Sequence, residues 1–294
     1  MSNSQQRNTI VLITGTSSGI GASLVHSIAK YPNIKVYASA RNLSSIKHLK
    51  DKNISTIQLD VCDNSSIKSA VDTIINEEGR IDILINNAGI NIYGPVIDIP
   101  EVDNRRLFDA NFFGTIAVTQ EVGRHMIERR SGLIANISSI SGLITTPFDG
   151  LYCASKAALN AWSDSLRMEL APFNIRVCIV MPGSIKTELA NNAKSTLEQL
   201  LDNTVYHDIK DSIVLRSTTS QDNSIPSTQF SERVAAELLK SNPPSRFAYG
   251  PLSTLFKLLN FVPTFILDYV FSKKFGLLKL KSLIEKSTQN TTKQ

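Results

Sequence analysis

The sequence predicts an α/β fold in which a doubly wound parallel sheet carries helices on both faces. Two observations lead to this prediction. Apolar, β-branched segments alternate with helical segments up to about residue 183, and this alternation is typical of parallel strands joined by crossover helices. The first apolar run, at 9–13, continues directly into a glycine-containing turn and then into a helical pattern. We therefore expect one sheet with its connecting helices.

Each element follows from its local pattern. Short apolar runs predict strands at 9–14, 34–39, 55–60, 81–86, 133–138 and 175–181. Helical spacing of apolar residues predicts helices at 19–30, 44–50, 64–77, 101–129 and 151–171. From 184 to 230 the pattern loosens, and Ser, Thr, Asn and Asp dominate 216–228, so we expect a long loop over 184–230. A helix at 231–241 and a last edge strand at 246–250 complete the prediction.

Length and composition indicate one globular domain with an extension. The chain has 294 residues, of which 42% are hydrophobic, and this is ample material for a core. We expect the domain at 1–250 and the extension at 251–294. Cys62, Cys153 and Cys178 are scattered, which predicts a reducing compartment without structural disulfides or a metal site. The first apolar run is too short for a signal peptide.

The turn after the first strand has the composition of a dinucleotide-binding loop. It reads Thr14-Gly15-Thr16-Ser17-Ser18-Gly19-Ile20-Gly21. Gly15 would allow the tight turn, Gly19 would let the backbone approach a pyrophosphate, and Gly21 would let helix and strand pack closely. The N-terminus of the following helix would face the phosphates with the positive end of its dipole.

A tyrosine and a lysine four residues apart indicate carbonyl chemistry. Tyr152 and Lys156 lie on one face of the predicted helix 151–171. An ammonium beside a phenol favours the phenolate, so Lys156 is expected to lower the pKa of Tyr152 from ~10. Such a phenol gives a proton to a carbonyl oxygen or takes one from an alcohol. Ser139, thirteen residues upstream, would hold the same oxygen.

With these motifs, the chain from about residue 9 to about residue 183 resembles the short-chain dehydrogenase/reductase family. The motifs stand in the family's order, and they are Thr14-Gly15-x-x-x-Gly19-Ile20-Gly21, Asp60 after a strand, Asn86-Asn87-Ala88-Gly89, Asn111, Ser139, Tyr152-x-x-x-Lys156 and Pro182-Gly183. The resemblance implies a Rossmann-type fold that binds a nicotinamide dinucleotide. It also implies that 184–241 forms a substrate loop and lid.

The resemblance implies a role for each matching residue. Ser139, rather than Ser138, would hold the substrate oxygen, and Tyr152 would transfer the proton. Lys156 would also hydrogen-bond the nicotinamide ribose, and Asn111 would bend its helix and hold a relay water. The cofactor-binding residues would be Gly15, Ser17, Ser18, Gly19, Ile20, Gly21, Arg41, Asp60, Val61, Asn87, Ala88, Gly89, Tyr152, Lys156, Pro182, Gly183, Ile185 and Thr187.

The end of the second strand favours NADP(H) over NAD. An acidic residue there would bind the ribose 2′-hydroxyl and repel a 2′-phosphate. The segment 36–42 offers no acidic residue, and it offers Arg41, whose planar fork suits a phosphate. The alternative is that Arg41 is a plain surface arginine.

The net positive charge lies in the C-terminal segment. Residues 255–294 hold seven lysines against Asp268 and Glu285, so they carry the whole net charge of +5. The body is neutral, and we expect no nucleic-acid partner. Apolar and aromatic residues, including Phe256, Phe261, Phe265 and Phe271, precede the lysines. We expect a helix pair, divided at Pro263, that lies in a membrane interface without spanning it.

The tail also allows a second interpretation, in which it packs on a dimer partner or over the substrate pocket. A homodimer is possible. Phe261-Val-Pro263 and Ser272-Lys-Lys-Phe275 resemble segments of fungal NADPH-dependent 1-acyldihydroxyacetone-phosphate reductases. This resemblance implies a lipid ketone substrate and the cytosolic face of the endoplasmic reticulum or a lipid droplet, the alternative location being the cytoplasm.

Two alternatives concern the function. One is a reductase of steroid, retinoid or secondary-metabolite ketones, because the segment 35–42 resembles hydroxysteroid and retinol dehydrogenases. The other is a non-catalytic NADP-binding protein. Such a protein would be expected to lose the tyrosine or the lysine, and Tyr152 and Lys156 are both present.

Overall fold

A computed structural model of the chain describes residues 8–189, 197, 200–202 and 204–291. Its strands are β1 Thr9–Ile13, β2 Ile34–Ala40, β3 Ile54–Gln58, β4 Ile83–Asn86, β5 Gly132–Ile137, β6 Ile175–Pro182, β7 Ile185–Lys186, β8 Ile225–Pro226 and β9 Arg246–Tyr249. Seven of them form a parallel sheet in the order β3-β2-β1-β4-β5-β6-β9, and β7 pairs with β8. The predicted parallel sheet is confirmed.

Helices cover both faces of this sheet. Within the described residues, the α-helices are α1 Gly19–Ala29, α2 Asn64–Glu78, α3 Glu101–Phe108, α4 Gly114–Arg129, α5 Gly150–Leu170, α6 Lys210–Asp222, α7 Ser227–Leu238, α8 Ser253–Leu259, α9 Thr264–Lys274 and α10 Leu277–Thr291. On one face, α1 and α7 pack against Val11 and Ile13 of β1. On the other face, α2 and α4 pack against Ile10 and Leu12. Both sides of β1 are therefore buried, as in parallel sheets generally.

The order of the strands reverses between β1 and β4. β1 pairs with β2 on one side and with β4 on the other, although β4 follows β3 in the chain. The segments after β1 and β4 therefore leave the sheet side by side, one toward each face. Open α/β sheets bind ligands at the carboxyl ends of the strands at such a switch point.

The loop predicted at 184–230 is wrong over Lys210–Asp222, because α6 occupies this part of it. Its hydroxyl groups bond to their own helix: Ser217 Oγ donates to the Val214 carbonyl at 2.7 Å, and Thr218 Oγ1 donates to the Leu215 carbonyl at 3.1 Å. The hydrogen-bonding groups of these Ser and Thr side chains are therefore satisfied by carbonyls of the helix itself, and the helix continues through them. The helix is held from inside by Ile213, which is fully buried.

Three other predictions differ in detail from the structure. The helix predicted at 231–241 forms three to four residues earlier, at Ser227–Leu238, after Pro226. The segment predicted as helix 44–50 forms a 3₁₀-helix at Leu43–Leu49, in which the Asn42 side chain accepts a hydrogen bond from the Ser44 amide. The helix predicted at 101–129 is interrupted by a π-helical turn at Asp109–Phe113. Within the predicted loop and lid at 184–241, residues 190–196, 198–199 and 203 lie outside the described residues.

The tail forms three helices, where a pair was expected, and part of it packs on the body. Pro263 precedes the first turn of α9, where its missing amide hydrogen is tolerated. Phe275, just after α9, is buried at 2% exposure in a cluster with Ile213 of α6. Phe256 packs against Met181 of β6. None of the described helices combines the length and the apolar composition that crossing a bilayer would require.

Candidate active site

The segments after β1 and β4 are joined by hydrogen bonds at the switch point. Thr14 Oγ1 accepts hydrogen bonds from the backbone amides of Asn87 and Ala88, at 3.0 and 3.1 Å. The Asn87 side chain donates to the carbonyls of Thr14 and Gly15, both at 2.9 Å. The predicted cofactor residues Asn87, Ala88 and Gly15 therefore form one rigid unit.

Two glycines make this close approach possible. Gly15 has a φ of +68°, and a Cβ there would stand 2.6 Å from the Ala88 Cα. A Cβ on Gly21 would stand 2.2 Å from the Gly15 carbonyl oxygen. Side chains at these positions would push the loop away from the sheet. Their absence leaves a cradle at the N-terminus of α1, where Ser17 and Ser18 are exposed, and a helix N-terminus of this kind binds phosphates.

Asn111 lies in the π-helical turn and ties that turn to the segment after β4. Its Oδ1 accepts a hydrogen bond from the Ile90 amide at 2.8 Å, and its Nδ2 donates to the Ile90 carbonyl at 2.9 Å. Nδ2 also donates to Ser155 Oγ at 3.2 Å. The side chain is fully buried, and it stands beside Gly89, where a Cβ would meet Asn111 Oδ1 at 3.0 Å. π-turns are frequent at functional sites.

The two serines after β5 have different partners. Ser138 Oγ donates to the Lys156 carbonyl at 3.3 Å. Ser139 Oγ accepts from the Ser141 amide at 3.0 Å and also hydrogen-bonds the Tyr152 phenol. Ser139, which was chosen from its spacing, is therefore the serine that stands beside the tyrosine.

Lys156 is buried at 5% exposure, with its ammonium between β5 and the segment after β4. Its Nζ donates to the Ile137 carbonyl at 2.9 Å and lies 3.8 Å from the point where a Gly89 Cβ would be. It stands 5.6 Å from the centre of the Tyr152 ring. Burial lowers the pKa of Lys156 to about 8.

The expectation that Lys156 lowers the pKa of Tyr152 is wrong for this arrangement. Desolvation raises the pKa of Tyr152 above its ordinary value and the Asp149 carboxylate raises it further, while the hydrogen bond from Ser139 opposes them. The ammonium of Lys156 is engaged at Ile137 instead of the phenol oxygen. The phenol is consequently neutral at physiological pH, which is the state that donates a proton.

Asp60, Val61 and Arg41 lie at the ends of β2 and β3, away from the tyrosine. Asp60 Oδ1 accepts from the Cys62 amide at 3.0 Å, and a Cβ on Gly114 would meet the Val61 carbonyl at 2.7 Å. Arg41 is exposed. This is the side of a switch-point site that would face the adenosine.

The predicted residues after β6 close the other side of the cradle. The Gly183 amide donates to the Tyr249 carbonyl at 2.9 Å, which fixes Pro182 and Gly183 against β9. Ile185 of β7 is buried at 5% exposure. The Thr187 Cβ comes within 3.3 Å of the position of a Gly19 Cβ, so this segment reaches back to the glycine loop.

Two buried charges near Tyr152 were not predicted from the sequence. Asp149 precedes α5, and it pairs with Arg216 of α6 at 2.5 Å. The two residues are 67 positions apart, and no local pattern in the sequence links them. Tyr152 also contacts an apolar cluster that includes Ile92 and Leu200. Among the described residues, no group of His, Cys, Asp and Glu is arranged to hold a metal ion.

Comparison with known proteins gives a family match and close relatives. The family model described as short chain dehydrogenase matches residues 9–198. A 3-ketodihydrosphingosine reductase of Bacteroides thetaiotaomicron is 34% identical over 250 residues, covering 83% of this chain and 88% of that protein. The short-chain dehydrogenase ptmH of Penicillium ochrochloron is 33% identical over 271 residues, covering 91% of this chain and 98% of that protein.

Two solved structures share the architecture over most of the chain. A short-chain dehydrogenase from Streptomyces avermitilis superposes with a TM-score of 0.74 at 26% identity, covering 94% of this chain and 97% of that one. The closed form of a serine dehydrogenase complexed with NADP+ gives a TM-score of 0.72 at 26% identity, covering 83% of this chain and 95% of that one.

The burial of Lys156 predicts a pH-dependent stability. Its pKa is lowered to about 8 from 10.5, so between these values the unfolded chain binds more protons than the folded protein. The free energy of unfolding should therefore rise with pH in this window. The penalty for burying the charged amine is present below pH ~8 and disappears as the amine loses its proton. Lys156→Met should remove this dependence.

Urea denaturation of both proteins from about pH 6 to pH 10 measures the effect. The difference in free energy of unfolding should be flat up to about pH 8 and then shift in favour of the wild type. Lys52→Met, at an exposed position, controls for the loss of a charge. A difference between wild type and Lys156→Met that stays constant up to pH ~10 would contradict the prediction.

Proposed function

The chain belongs to the short-chain dehydrogenase family, and we propose that it reduces the ketone of an acyl-chain lipid with NADPH. It is an oxidoreductase of the NADP(H)-dependent type. The observation that carries the proposal is the group formed by Ser139, the neutral phenol of Tyr152 and the buried Lys156, whose ammonium lies beside Gly89 in the segment after β4.

The residues at the switch point fit a dinucleotide. Gly15 and Gly21 let the loop pack tightly against Ala88 and Asn87, and this holds the loop at the N-terminus of α1, where phosphates bind. When NADPH is bound, its nicotinamide supplies hydride. Lys156, whose Nζ lies beside Gly89, would hold the nicotinamide ribose.

The protein's own groups then manage the proton and the substrate oxygen. Ser139 would donate a hydrogen bond to the ketone oxygen and fix it in front of Tyr152. The Tyr152 phenol, kept neutral by its surroundings, would give its proton to that oxygen as negative charge develops there. The apolar cluster with Ile92 and Leu200 would exclude water from one side of the reaction centre.

The acyl chain is proposed from the surroundings of the lid. Phe148, next to Asp149, belongs to an apolar cluster in which α6 and the C-terminal helices meet, with Ile213 and Phe275 fully buried. A substrate bound at Tyr152 would lie near the apolar segment that carries Phe148. The Bacteroides relative is named for a long-chain keto lipid, which supports the same substrate class.

Two lipid ketones are the first candidates. 1-Acyldihydroxyacetone phosphate is suggested by the resemblance of the tail segments 261–263 and 272–275. 3-Ketodihydrosphingosine is suggested by the relative that carries its name. The two differ in their head groups, since one is a phosphate ester and the other carries an amine.

We expect NADPH-dependent reduction of one of these lipids to be faster than that of steroids, retinal or short ketones. The measurement is the loss of NADPH absorbance with each compound presented in mixed micelles. Tyr152→Phe keeps the ring but removes the proton, and it should lower kcat by at least about 10²-fold while NADPH affinity changes little. Faster turnover of a steroid or retinal would transfer the assignment to that class. Unchanged kcat in Tyr152→Phe would refute the proton donor.

The exposed Arg41 should select NADPH over NADH. A charge-assisted pair with the 2′-phosphate contributes roughly 1.5–3 kcal/mol, or about ten- to a hundred-fold in affinity. Arg41→Ala should lose this amount for NADPH and leave the affinity for NADH unchanged, since NADH lacks the phosphate. Fluorescence titration with both cofactors measures it, and NADH serves as the internal control. Equal affinities of the wild type for the two cofactors would contradict the proposal.

We further propose that the exposed face of the tail adsorbs to an anionic lipid surface, at the cytosolic side of the endoplasmic reticulum or a lipid droplet. Phe261 and Phe265 are 84% and 72% exposed. Lys273 and Lys274 follow at the end of α9. The combination of exposed aromatic residues and lysines suits the interface of a membrane. A homodimer stays a prediction.

The structure changes which residues are expected to touch lipid. Four phenylalanines were assigned to the surface from the sequence, but Phe256 and Phe271 pack against apolar clusters of the body. Truncation after Gly250 would also remove the buried Phe275 and expose α6. The informative variants are therefore substitutions at exposed positions.

The double variant Phe261→Ser with Phe265→Ser should weaken vesicle binding. A buried phenylalanine contributes roughly 1.5–3 kcal/mol, or at least about tenfold in affinity for each side chain. Lys273→Gln with Lys274→Gln should lose about 1 kcal/mol per lysine, and only on anionic vesicles at low salt. Co-sedimentation with neutral and anionic vesicles measures both. Ile97→Ser, at a position of the body that is 77% exposed, is the matched control. Wild-type protein that stays in every supernatant would rule out the lipid surface.

A further inference from the structure

A buried ion pair joins the lid helix α6 to the start of the catalytic helix α5. Arg216 Nη2 lies 2.5 Å from Asp149 Oδ2, and the two residues are 8% and 2% exposed. Arg216 Nε donates to Thr146 Oγ1 at 3.0 Å, and its guanidinium lies 5.5 Å from the centre of the Tyr93 ring. The other carboxylate oxygen, Asp149 Oδ1, accepts from Asn91 Nδ2 at 3.1 Å. Both charges are thus held by several partners.

The pair is placed within one helical turn of the proton donor. Asp149 immediately precedes α5, and its carbonyl accepts a hydrogen bond from the Cys153 amide at 3.0 Å. Tyr152 lies in the same turn. Arg216 comes from the middle of α6, three residues after the fully buried Ile213. The position of the lid helix relative to the catalytic tyrosine therefore depends on this ion pair.

The energetics of buried ion pairs indicate a role in geometry. Removing two charges from water is expensive, and an apolar pair of similar volume often stabilises a fold equally well. Through Ile213, α6 already packs in an apolar cluster with Phe275. The ion pair in addition fixes the orientation of α6 relative to Asp149, because a guanidinium fork sets both the angle and the distance of its partner carboxylate.

We propose that Arg216 is a positioning residue, which through Asp149 holds the lid helix so that a bound ketone meets Tyr152 in reacting geometry. The inference rests on the proposed function. Arg216 would not contact the reacting atoms, and it would act on the substrate side only. The cofactor cradle at Gly15 and Asn87 is built from other segments, so NADPH binding should not depend on the pair.

Four variants test this role. Arg216→Met leaves a buried carboxylate without its counter-charge, and Arg216→Lys keeps the charge but loses the fork. The double variant Asp149→Asn with Arg216→Met removes both charges and should recover the melting temperature that the single variant loses. Asp211→Asn removes an exposed charge from the same helix and is the control.

The readouts are kcat/KM for the ketone that the wild type reduces fastest, the NADPH dissociation constant and the melting temperature. A misplacement of about 1 Å costs on the order of 10²-fold in rate. We expect kcat/KM to fall by about 100-fold in Arg216→Met and in the double variant, with partial recovery in Arg216→Lys. The NADPH dissociation constant should change less than about threefold in all of them.

Each outcome decides between the interpretations. If the double variant regains wild-type kcat/KM together with its melting temperature, the pair is only structural and the proposal is overturned. The same follows if the loss of rate is matched by an equal loss of NADPH affinity. Because the assay uses the best ketone of any class, a wild type that prefers a steroid overturns the lipid assignment alone. Absence of turnover on every ketone would overturn both proposals.

Discussion

The reversal of strand order between β1 and β4 is the constraint on which the site is built. Two crossover segments leave the sheet side by side there, and both need their backbone groups satisfied away from regular strand pairing. Thr14 and Asn87 provide this by bonding to each other's segments. The glycine loop is thereby pinned at a sheet edge where a helix N-terminus and Lys156 also converge. The reversal of strand order therefore places the glycine loop and the Lys156 ammonium at the same end of the sheet, and the helix that carries Lys156 also carries the Tyr152 phenol.

Burial affects the pKa values of Tyr152 and Lys156 more than the interaction between their charges does. The spacing of Tyr152 and Lys156 implies that the two side chains are close, but it carries no information on how much water surrounds them. Lys156 is buried and Tyr152 is half-buried, and their apolar surroundings lower the pKa of Lys156 and raise that of Tyr152. Asp149, which no motif identified, acts on the phenol in the same direction. A phenol held neutral is suited to giving a proton, which agrees with the direction of ketone reduction.

The sequence predicted well what is encoded locally. The strands, the glycine turn and the helix that carries Tyr152 each follow from a continuous pattern, and their predicted positions agree with the structure within about two residues. The features that were not predicted depend on contacts between residues that are distant in the sequence. The helix α6 is rich in Ser and Thr, which are neutral to unfavourable inside helices, and it forms because Ile213 is buried in a cluster with Phe275 of the tail. The pairing of Arg216 with Asp149 and the inward packing of Phe256 depend on tertiary contacts that no local pattern contains.

The lid helix α6 contacts both the start of the catalytic helix and the C-terminal tail, which are distant from each other in the sequence. Its inner side reaches the catalytic helix through Arg216, and its packing with the tail runs through Ile213 and Phe275. A Cβ on Gly276 would stand 2.6 Å from Ser212 Oγ, so the turn between α9 and α10 fits closely against α6. The phenylalanines that face outward, at 261 and 265, are separate from those that pack inward. The proposed lipid adsorption and the support of the lid helix would therefore use different side chains of one tail. Under this proposal, a lipid ketone that leaves a membrane would meet the exposed side of the tail first, and α6 packs against the opposite side of the tail.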